Sequence, residues 1–241
     1  MTNILVTGTD RGIGLGIVKQ LLKNSNVGKV FACAWKPAEA KELTAIKDDR
    51  LTIIEMDVTQ DSSIVKAVEQ VSSSLGNGGL DLLINNAGIL EETDPKKPMD
   101  REVVMKMLST NSAGPMIVTS HFYPLVKRAA SMKGSAQVAN ISSMGGSCEL
   151  GIVVFSDLRI VAYMASKAAV NRYTAYASKY FADDNVRVTC FCPGWVQTAI
   201  GTDKAQLTVE ESTSLLTPLI LNLGPEHNGG YYNIKGETIP W

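Results

Sequence analysis

The sequence predicts a doubly wound α/β fold in which a parallel sheet is covered by helices on both faces. Apolar segments of strand length alternate along the chain with segments that have the residue spacing of a helix. The strand segments read as nearly continuous Val, Ile and Leu, which is typical of parallel strands buried on both faces. No linker or shift in composition interrupts the alternation, so we expect residues 1–241 to form one domain.

Each strand is predicted from an apolar run bounded by turn residues. These runs are Ile4–Thr7, Lys29–Ala34, Leu51–Met56, Leu80–Asn85, Ala136–Ile141, Val186–Cys192 and the weaker Gly230–Ile234. Helices are predicted where apolar residues recur with a period near 3.6. These segments are Ile13–Asn24, Ala38–Lys47, Asp61–Leu75, Asp100–Ser131, Val161–Ala182 and Val209–Leu223. Together they account for nearly all 241 residues, so every binding site must be carried by this one domain.

The composition excludes several classes of partner. Twenty-three Lys and Arg residues against 24 Asp and Glu residues give a net charge of −1, which favours neither nucleic acid nor an anionic membrane. The longest segment without these residues, Met107–Val126, contains two prolines and does not read as a membrane span. Four cysteines and two separated histidines match neither a disulfide framework nor a metal site. No basic region precedes the first apolar segment, so we expect a cytoplasmic protein.

Ligands of open α/β sheets bind at the carboxyl ends of the strands. Five loops follow predicted strands and are therefore expected to meet at one edge of the sheet. They are Gly8–Gly14, Asp57-Val58, Asn85–Gly88, Ser142–Gly146 and Pro193–Thr198.

The first of these loops predicts a nucleotide site. Gly8, Gly12 and Gly14 follow the first strand and open the first helix. Residues without a Cβ atom let a pyrophosphate approach backbone N–H groups and the positive end of a helix. The context of strand, glycine loop and helix, rather than the glycine spacing alone, indicates a dinucleotide.

The end of the second strand, Phe31–Lys36, indicates which dinucleotide is bound. An NAD site would place an acidic side chain there to bind the adenosine ribose, and none is present. Instead, Lys36 follows the strand and Arg11 lies in the glycine loop, so two cations can flank a 2′-phosphate. We therefore predict NADP(H) rather than NAD(H), with two solvated surface cations as the alternative interpretation.

The pattern Tyr-x-x-x-Lys occurs three times, and its context distinguishes the copies. Tyr231/Lys235 falls in the predicted last strand, where four residues separate the two side chains by roughly 13 Å. Tyr123/Lys127 is interrupted by Pro124. Tyr163/Lys167 begins an Ala-rich helical segment, where positions i and i+4 share one face and can act together.

These motifs together resemble the short-chain dehydrogenase/reductase family over the whole chain. They occur in the family's order: Thr7–Gly14, Asp57-Val58, Asn85–Gly88, Asn111, Asn140–Ser143, Tyr163–Lys167 and Pro193-Gly194. The segments Gly194–Thr198 and Gly229–Trp241 resemble more narrowly the sniffer/C-factor group of carbonyl reductases. The resemblance implies a single-domain Rossmann fold with a seven-stranded parallel sheet that binds NADP(H).

The resemblance also implies roles for four residues. Tyr163 would be the general acid that protonates the oxygen of a carbonyl as it accepts hydride. Lys167 and an oxidised nicotinamide would favour the Tyr163 anion, and Lys167 would also hold the nicotinamide ribose. Ser143, rather than the alternative Ser142, would stabilise the substrate oxygen. Asn111 would link Lys167 to solvent through a water, and the alternative is that it only kinks a long helix.

The same comparison implies a larger set of cofactor-binding residues. The set is Gly8, Arg11, Gly12, Ile13, Gly14, Lys36, Asp57, Val58, Asn86, Ala87, Gly88, Tyr163, Lys167, Pro193, Gly194, Val196 and Thr198. For the Asn85–Gly88 and Pro193-Gly194 segments, a purely structural strand-ending role is the alternative.

Two segments depart from the family's pattern. Met144–Ala162 is longer than usual and apolar in part, while Ala199–Leu207, where a substrate lid is expected, is short. A short lid predicts an open site, with Phe155 and Trp195 as candidate substrate-binding walls. The long connection precedes a helix that commonly packs across a dimer, and a homodimer or homotetramer is expected.

The sequence therefore predicts an NADPH-dependent carbonyl reductase acting on a small aldehyde, ketone or quinone. An alcohol or hydroxysteroid dehydrogenase working oxidatively would use the same residues in the reverse direction. A non-catalytic NADP-binding regulator is a third hypothesis. A serine hydrolase is excluded because the sequence contains no G-x-S-x-G motif.

Overall fold

The computed structural model describes residues 1–155 and 157–241, and within them seven strands form one sheet. The strands are β1 (Thr2–Thr7), β2 (Val27–Ala34), β3 (Leu51–Glu55), β4 (Leu82–Asn85), β5 (Ala136–Ile141), β6 (Val186–Phe191) and β7 (Tyr231–Tyr232). Their order is β3-β2-β1-β4-β5-β6-β7, and every neighbouring pair is parallel. The direction of winding reverses between β1 and β4, which places a crevice at the carboxyl ends of these strands.

Among the described residues, eight α-helices connect or follow the strands. They are α1 (Gly12–Leu22), α2 (Lys41–Thr44), α3 (Asp61–Leu75), α4 (Arg101–Leu108), α5 (Gly114–Lys133), α6 (Leu150–Val154), α7 (Val161–Phe181) and α8 (Val209–Asn222). One apolar core joins one face of the sheet to α3 and α5 through residues such as Val71 and Phe122. A second joins the other face to α1 and α8 through Ile17 and Leu216. The predicted Rossmann fold, with helices on both faces, is confirmed.

The largest difference from the predicted helices lies in Asp100–Ser131. Instead of one helix, α4 and α5 are separated by a π-helical turn at Ser109–Ala113. Asn111 lies in this turn and bonds with both its amide atoms to the Ile89 backbone at 2.8 Å. A wider turn of this kind is common at functional sites, because it redirects a side chain that a regular helix would aim elsewhere.

Other predicted boundaries were too long or missed an element. The expected helix Ala38–Lys47 is a 3₁₀ turn at Pro37–Glu39 followed by the short α2. The expected strand Gly230–Ile234 keeps only two residues, because the chain turns at residues 233–237 and folds back on β7. Helix α6 was not predicted, since five residues are too few to show a helical period.

No helix among the described residues is long and apolar enough to cross a membrane. In the same part of the chain, no three His, Cys, Asp or Glu side chains come together as a set that could hold a metal ion.

Candidate active site

The loops after β1 and β4 are bound to each other at the carboxyl edge of the sheet. The Asn86 amide donates from Nδ2 to the carbonyls of Thr7 at 2.9 Å and Gly8 at 3.0 Å. In return, the Thr7 hydroxyl accepts from the backbone N–H groups of Asn86 and Ala87, both at 3.0 Å. Asn86, predicted to touch either the cofactor or β4, therefore fixes the glycine loop through its side chain.

The glycine loop has no room for side chains at two positions. Gly8 has φ +67°, and a Cβ atom there would lie 2.7 Å from the Cα atom of Ala87. A Cβ atom on Gly14 would lie 2.1 Å from the Gly8 carbonyl oxygen. This turn therefore requires glycine and exposes backbone at the start of α1, as a pyrophosphate site does. The backbone N–H groups at the start of α1 and the shape of the glycine turn fit the phosphates of a dinucleotide.

One further loop adjoins this turn. A Cβ atom on Gly12 would lie 3.2 Å from Cγ2 of Thr198, which brings the Pro193–Thr198 loop beside the glycine loop. Ile13 is half-buried against the apolar core under α1. The predicted convergence of loops at this edge is thus present between the segments after β1, β4 and β6.

The end of the crevice where the adenosine is predicted to bind contains charges of both signs. Arg11 is exposed at the start of α1. The Lys36 ammonium lies 3.2 Å from a Glu39 carboxylate oxygen and 4.5 Å from the centre of the Trp35 ring. The carboxylate of Asp10, a residue outside the predicted set, accepts from the backbone N–H groups of Trp35 at 3.1 Å and Lys36 at 3.0 Å. Lys36, one of the two predicted 2′-phosphate cations, therefore has two carboxylates close to it.

Asp57 and Val58, expected beside the adenine, have structural partners in this chain. One Asp57 carboxylate oxygen accepts from both the backbone N–H and the hydroxyl of Thr59, at 2.8 and 2.7 Å. Val58 is buried, and its Cγ2 lies 3.2 Å from where a Cβ atom on Gly114 would stand. The turn after β3 is thereby fixed against the start of α5.

Tyr163 and Lys167 lie one turn apart near the start of α7, and both are buried. The Lys167 ammonium donates to the Ile141 carbonyl at 2.9 Å and lies 5.8 Å from the centre of the Tyr163 ring. Tyr163 packs in an apolar cluster with Met107 of α4. At the start of the helix, the hydroxyl of Thr93 accepts from the backbone N–H of Ala162 at 3.0 Å, a contact that the sequence motifs did not indicate.

Burial shifts both titratable groups away from their charged forms. It raises the pKa of the Tyr163 phenol to about 12, and the neighbouring Ser143 hydroxyl opposes part of that shift. Burial lowers the pKa of Lys167 to about 8, with the Cys190 and Cys192 thiols opposing. In the chain alone, removal of the phenol from water dominates the pKa of Tyr163, and the favouring of its anion by Lys167 and an oxidised nicotinamide stays a prediction for the cofactor-bound enzyme. At neutral pH the phenol is protonated and the lysine carries its charge.

The two candidate serines make different contacts. The Ser142 hydroxyl is buried and donates to Oδ1 of Asn171 on α7 at 2.6 Å. The Ser143 hydroxyl accepts from the backbone N–H of Gly145 at 3.1 Å and interacts with Tyr163. This arrangement favours Ser143 as the serine beside the phenol, while Ser142 secures the end of β5 to α7.

Asn111 lies close to Lys167 but does not contact it directly. Besides its two bonds to Ile89, its amide donates to the Ser166 hydroxyl at 3.0 Å. A Cβ atom on Gly88 would lie 3.4 Å from Oδ1 of Asn111 and 3.5 Å from Nζ of Lys167. Gly88 therefore lies against both groups, and the π-helical turn brings Asn111 to the lysine end of the site.

The Pro193–Thr198 loop is held by its own hydrogen bonds and by α8. The Pro193 carbonyl accepts from the buried Ser212 hydroxyl at 2.7 Å, and Gly194 turns with φ +84°. Val196 bridges to Leu207, which closes the short segment between them. The exposed Trp195 donates from its indole N–H to the Gly201 carbonyl at 2.8 Å, so its ring is fixed at the outer edge of this loop.

Phe155, the other candidate wall, lies at the inner side of the Met144–Ala162 connection. A Cβ atom built on Gly145 would lie 3.6 Å from the Phe155 ring and 3.4 Å from the Ser143 hydroxyl. The preceding residues of α6, Ile152–Val154, are exposed instead. Phe155 is thus placed on the Ser143 side of the site, and Trp195 lies in the loop whose Thr198 adjoins Gly12.

The other Tyr-x-x-x-Lys copy in a helix has a structural role. Pro124 is accommodated inside α5, so Tyr123 and Lys127 do share a helix. Both bind the Asp184 carboxylate, the phenol at 2.6 Å and the ammonium at 2.8 Å. The pair therefore fastens α5 to the turn after α7.

Comparison with known proteins shows the family to which the chain belongs. The family model described as short chain dehydrogenase matches residues 2–207. An NADPH-bound carbonyl reductase from chicken fatty liver is 33% identical with a TM-score of 0.93, over 100% of this chain and 99% of that one. The carbonyl reductase Sniffer of D. melanogaster is 31% identical with a TM-score of 0.94, over 100% of both chains. An uncharacterised oxidoreductase of Schizosaccharomyces pombe is 31% identical over 98% of this chain and 96% of its own length. The chain belongs to the short-chain dehydrogenase family and is similar to the Sniffer-like carbonyl reductases.

Proposed function

We propose that this protein is an NADPH-dependent carbonyl reductase that converts a small aldehyde, ketone or quinone to the alcohol or hydroquinone. One observation carries the proposal: the buried Tyr163 phenol interacts with the Ser143 hydroxyl, and the Lys167 ammonium lies 5.8 Å from the centre of its ring. The similarity to carbonyl reductases over the full chain supports the same reaction.

The cofactor site is assigned to the loops that converge on the glycine turn. Gly8, Gly12 and Gly14 leave space for the pyrophosphate, and the Pro193–Thr198 loop and Gly88 border the nicotinamide end. When bound, the nicotinamide supplies a hydride to the carbonyl carbon. Arg11 and Lys36 are proposed to select the 2′-phosphate, and the NADPH in the chicken enzyme supports this choice.

The chain's own residues manage the charge that develops on the substrate oxygen. Ser143 donates a hydrogen bond to this oxygen, since its hydroxyl proton is not used by the bond from Gly145. Tyr163 gives its proton to the same oxygen and becomes a phenolate. The Lys167 ammonium lies near the ring and stabilises this phenolate, which is the role of a charge placed where negative charge forms. Asn111 is proposed to hold the water through which the proton is replaced.

The substrate is proposed to bind between Phe155 and Trp195. A short outer segment, closed by the bridge between Val196 and Leu207, leaves this side of the site open. Specificity would then depend on the two loops of a single domain that binds both cofactor and substrate. A cytoplasmic location and a homodimer or homotetramer complete the proposal as sequence-based hypotheses.

The test is a panel of carbonyl compounds with NADPH and NADH, beside a panel of alcohols with NADP⁺ and NAD⁺. We expect NADPH-dependent carbonyl reduction in the wild type and its loss in Tyr163→Phe. Alcohol oxidation that clearly exceeds carbonyl reduction would favour the oxidative dehydrogenase instead. Thermal protection by NADPH without turnover of any compound would indicate a cofactor-binding regulator.

A further inference from the structure

Ser143 is contacted from the last strand of the sheet. The Tyr231 hydroxyl donates a hydrogen bond to the Ser143 backbone carbonyl. Tyr231 lies in β7 beside Cys190 of β6 and is almost fully buried. Burial raises the pKa of this phenol above its ordinary value, so it keeps its proton and remains a donor at every physiological pH.

Trp241 holds Tyr231 from the outer side. After β7 the chain turns and returns antiparallel, with the backbone N–H of Ile239 donating to the Tyr231 carbonyl at 2.8 Å. The Trp241 ring then stacks on the Tyr231 ring, with centres 5.4 Å apart and planes inclined by 24°. Its carbonyl oxygen accepts from the backbone N–H of Cys148 at 3.1 Å. Residues 231–241 therefore contact both ends of the segment Ser143–Cys148.

The same segment carries the catalytic hydroxyl of the proposed mechanism. Its backbone is also held by Cys192, whose sulfur accepts from the Met144 N–H at 3.2 Å. With the Ser143 carbonyl fixed by Tyr231 and the Gly145 N–H bonded to the Ser143 hydroxyl, few rotations of this residue remain. A shift of its backbone would move the hydroxyl relative to Tyr163, and small displacements in a reacting site have large effects on rate.

We propose that Tyr231, supported by the Trp241 ring, is a positioning residue that orients the Ser143 hydroxyl toward the substrate oxygen. The inference rests on the proposed carbonyl reductase activity. The alternative is that Tyr231 only fills the apolar cluster around Val170 and Ile239. The two interpretations differ in whether the effect of the Tyr231 hydroxyl requires Ser143.

Tyr231→Phe keeps the ring and its stacking and removes the hydroxyl, including its bond to the Ser143 carbonyl. We expect kcat for carbonyl reduction to fall about tenfold, with KM for NADPH unchanged. In a Ser143→Ala background the same change should reduce kcat by less than about twofold, because the hydroxyl to be oriented is gone. Tyr232→Phe is the matched control, since this neighbouring hydroxyl makes only a long contact of 3.5 Å to the His227 carbonyl.

Amide hydrogen exchange gives a readout that does not depend on activity. Exchange at residues 144–148 should become faster in Tyr231→Phe and in Trp241→Ala, and stay at the wild-type rate in Tyr232→Phe and Trp241→Phe. Unchanged exchange in this segment would overturn the inference whether or not the protein turns over a carbonyl. An equal loss of kcat with and without Ser143 would overturn it too. If the wild-type protein does not reduce any carbonyl compound, the proposed function is refuted. The exchange experiment then still tests whether Tyr231 holds the segment Ser143–Cys148.

Discussion

The Lys167 ammonium donates to the Ile141 carbonyl at 2.9 Å, so a buried charge on α7 is fixed to the end of β5. This bond crosses from the helix that carries Tyr163 to the strand that leads into Ser143. It therefore fixes the separation of the two elements that carry the proposed chemistry. The cost of the arrangement is that an ammonium group is removed from water, which lowers its pKa to about 8.

The buried lysine predicts a pH-dependent difference in stability between the wild type and Lys167→Met. In the folded chain the ammonium loses its proton near pH 8, while in the unfolded chain it does so near pH 10.4. Between these values the unfolded state binds more protons, so the penalty for burying the charge is relieved as pH rises. Relative to Lys167→Met, the unfolding free energy of the wild type should increase by about 2–3 kcal/mol from pH 7 to pH 10.

Urea unfolding at several pH values measures this difference. Lys179→Met provides the control, because Lys179 lies on the exposed face of the same helix. Its stability relative to the wild type should not change over the same range. A constant difference between the wild type and Lys167→Met from pH 7 to pH 10 would show that Lys167 titrates normally.

Tyr163→Phe should reduce the rate of carbonyl reduction by at least about 100-fold, the usual contribution of a positioned general acid. The substitution keeps the ring in its cluster with Met107, so folding and cofactor binding should be retained. Steady-state kinetics and thermal protection by NADPH measure the two properties separately. Tyr180→Phe, at an exposed position of α7, should be fully active. A Tyr163→Phe enzyme with wild-type kcat would remove the phenol from the mechanism.

The rate of carbonyl reduction should decline as pH rises through about 8. Tyr163, with its pKa raised to about 12, stays protonated over this range and does not limit the reaction. Lys167 loses its charge near pH 8 and can then no longer stabilise the phenolate that forms on proton transfer. A pH profile of kcat measures the decline, and a flat profile up to pH 10 would contradict it.

Features of the fold and site that depend on neighbouring residues could be predicted from the sequence, whereas those that depend on contacts between distant residues could not. The strands and long helices are encoded in local periodicity, and Tyr163 and Lys167 lie in one short motif. A kink at Asn111 is one interpretation of the sequence, but the π-helical turn at Ser109–Ala113 itself could not be predicted, because it accompanies the bonds between Asn111 and the distant Ile89 backbone. The bond from Tyr231 to Ser143 joins residues 88 positions apart, and no local pattern signals it.

Asp10 lies in the predicted glycine loop but is not among the predicted cofactor-binding residues. Its carboxylate accepts from the backbone N–H groups of Trp35 and Lys36. It therefore contributes negative charge where a 2′-phosphate is proposed to bind.

Asp10→Asn should raise the ratio of kcat/KM for NADPH over NADH by roughly threefold or more, because a repulsion of order 0.7 kcal/mol or more is removed.

Lys36→Ala should change the same ratio in the opposite direction, because it removes a cation from the proposed phosphate site. Kinetics with both cofactors, and thermal protection by NADP⁺ and NAD⁺, measure these effects independently. Asp49→Asn, an exposed substitution outside the glycine loop, should leave the ratio unchanged. If NADH is the better cofactor and neither Asp10→Asn nor Lys36→Ala alters the ratio, the assignment of NADP(H) to this site is wrong.

The final prediction concerns the walls of the substrate site. Phe155 lies on the Ser143 side and Trp195 is anchored to Gly201 on the other, so both should contact the part of a substrate beyond its carbonyl. Phe155→Ala and Trp195→Ala should each lower kcat/KM for a bulky aromatic ketone or quinone by about fivefold or more relative to a small aldehyde, since apolar contact area is lost. Val153→Ala, on the exposed part of α6, should not change this preference. The measurement is kcat/KM across a size series of carbonyl compounds at saturating NADPH. An unchanged order of preference in both variants would place the substrate walls elsewhere in the crevice.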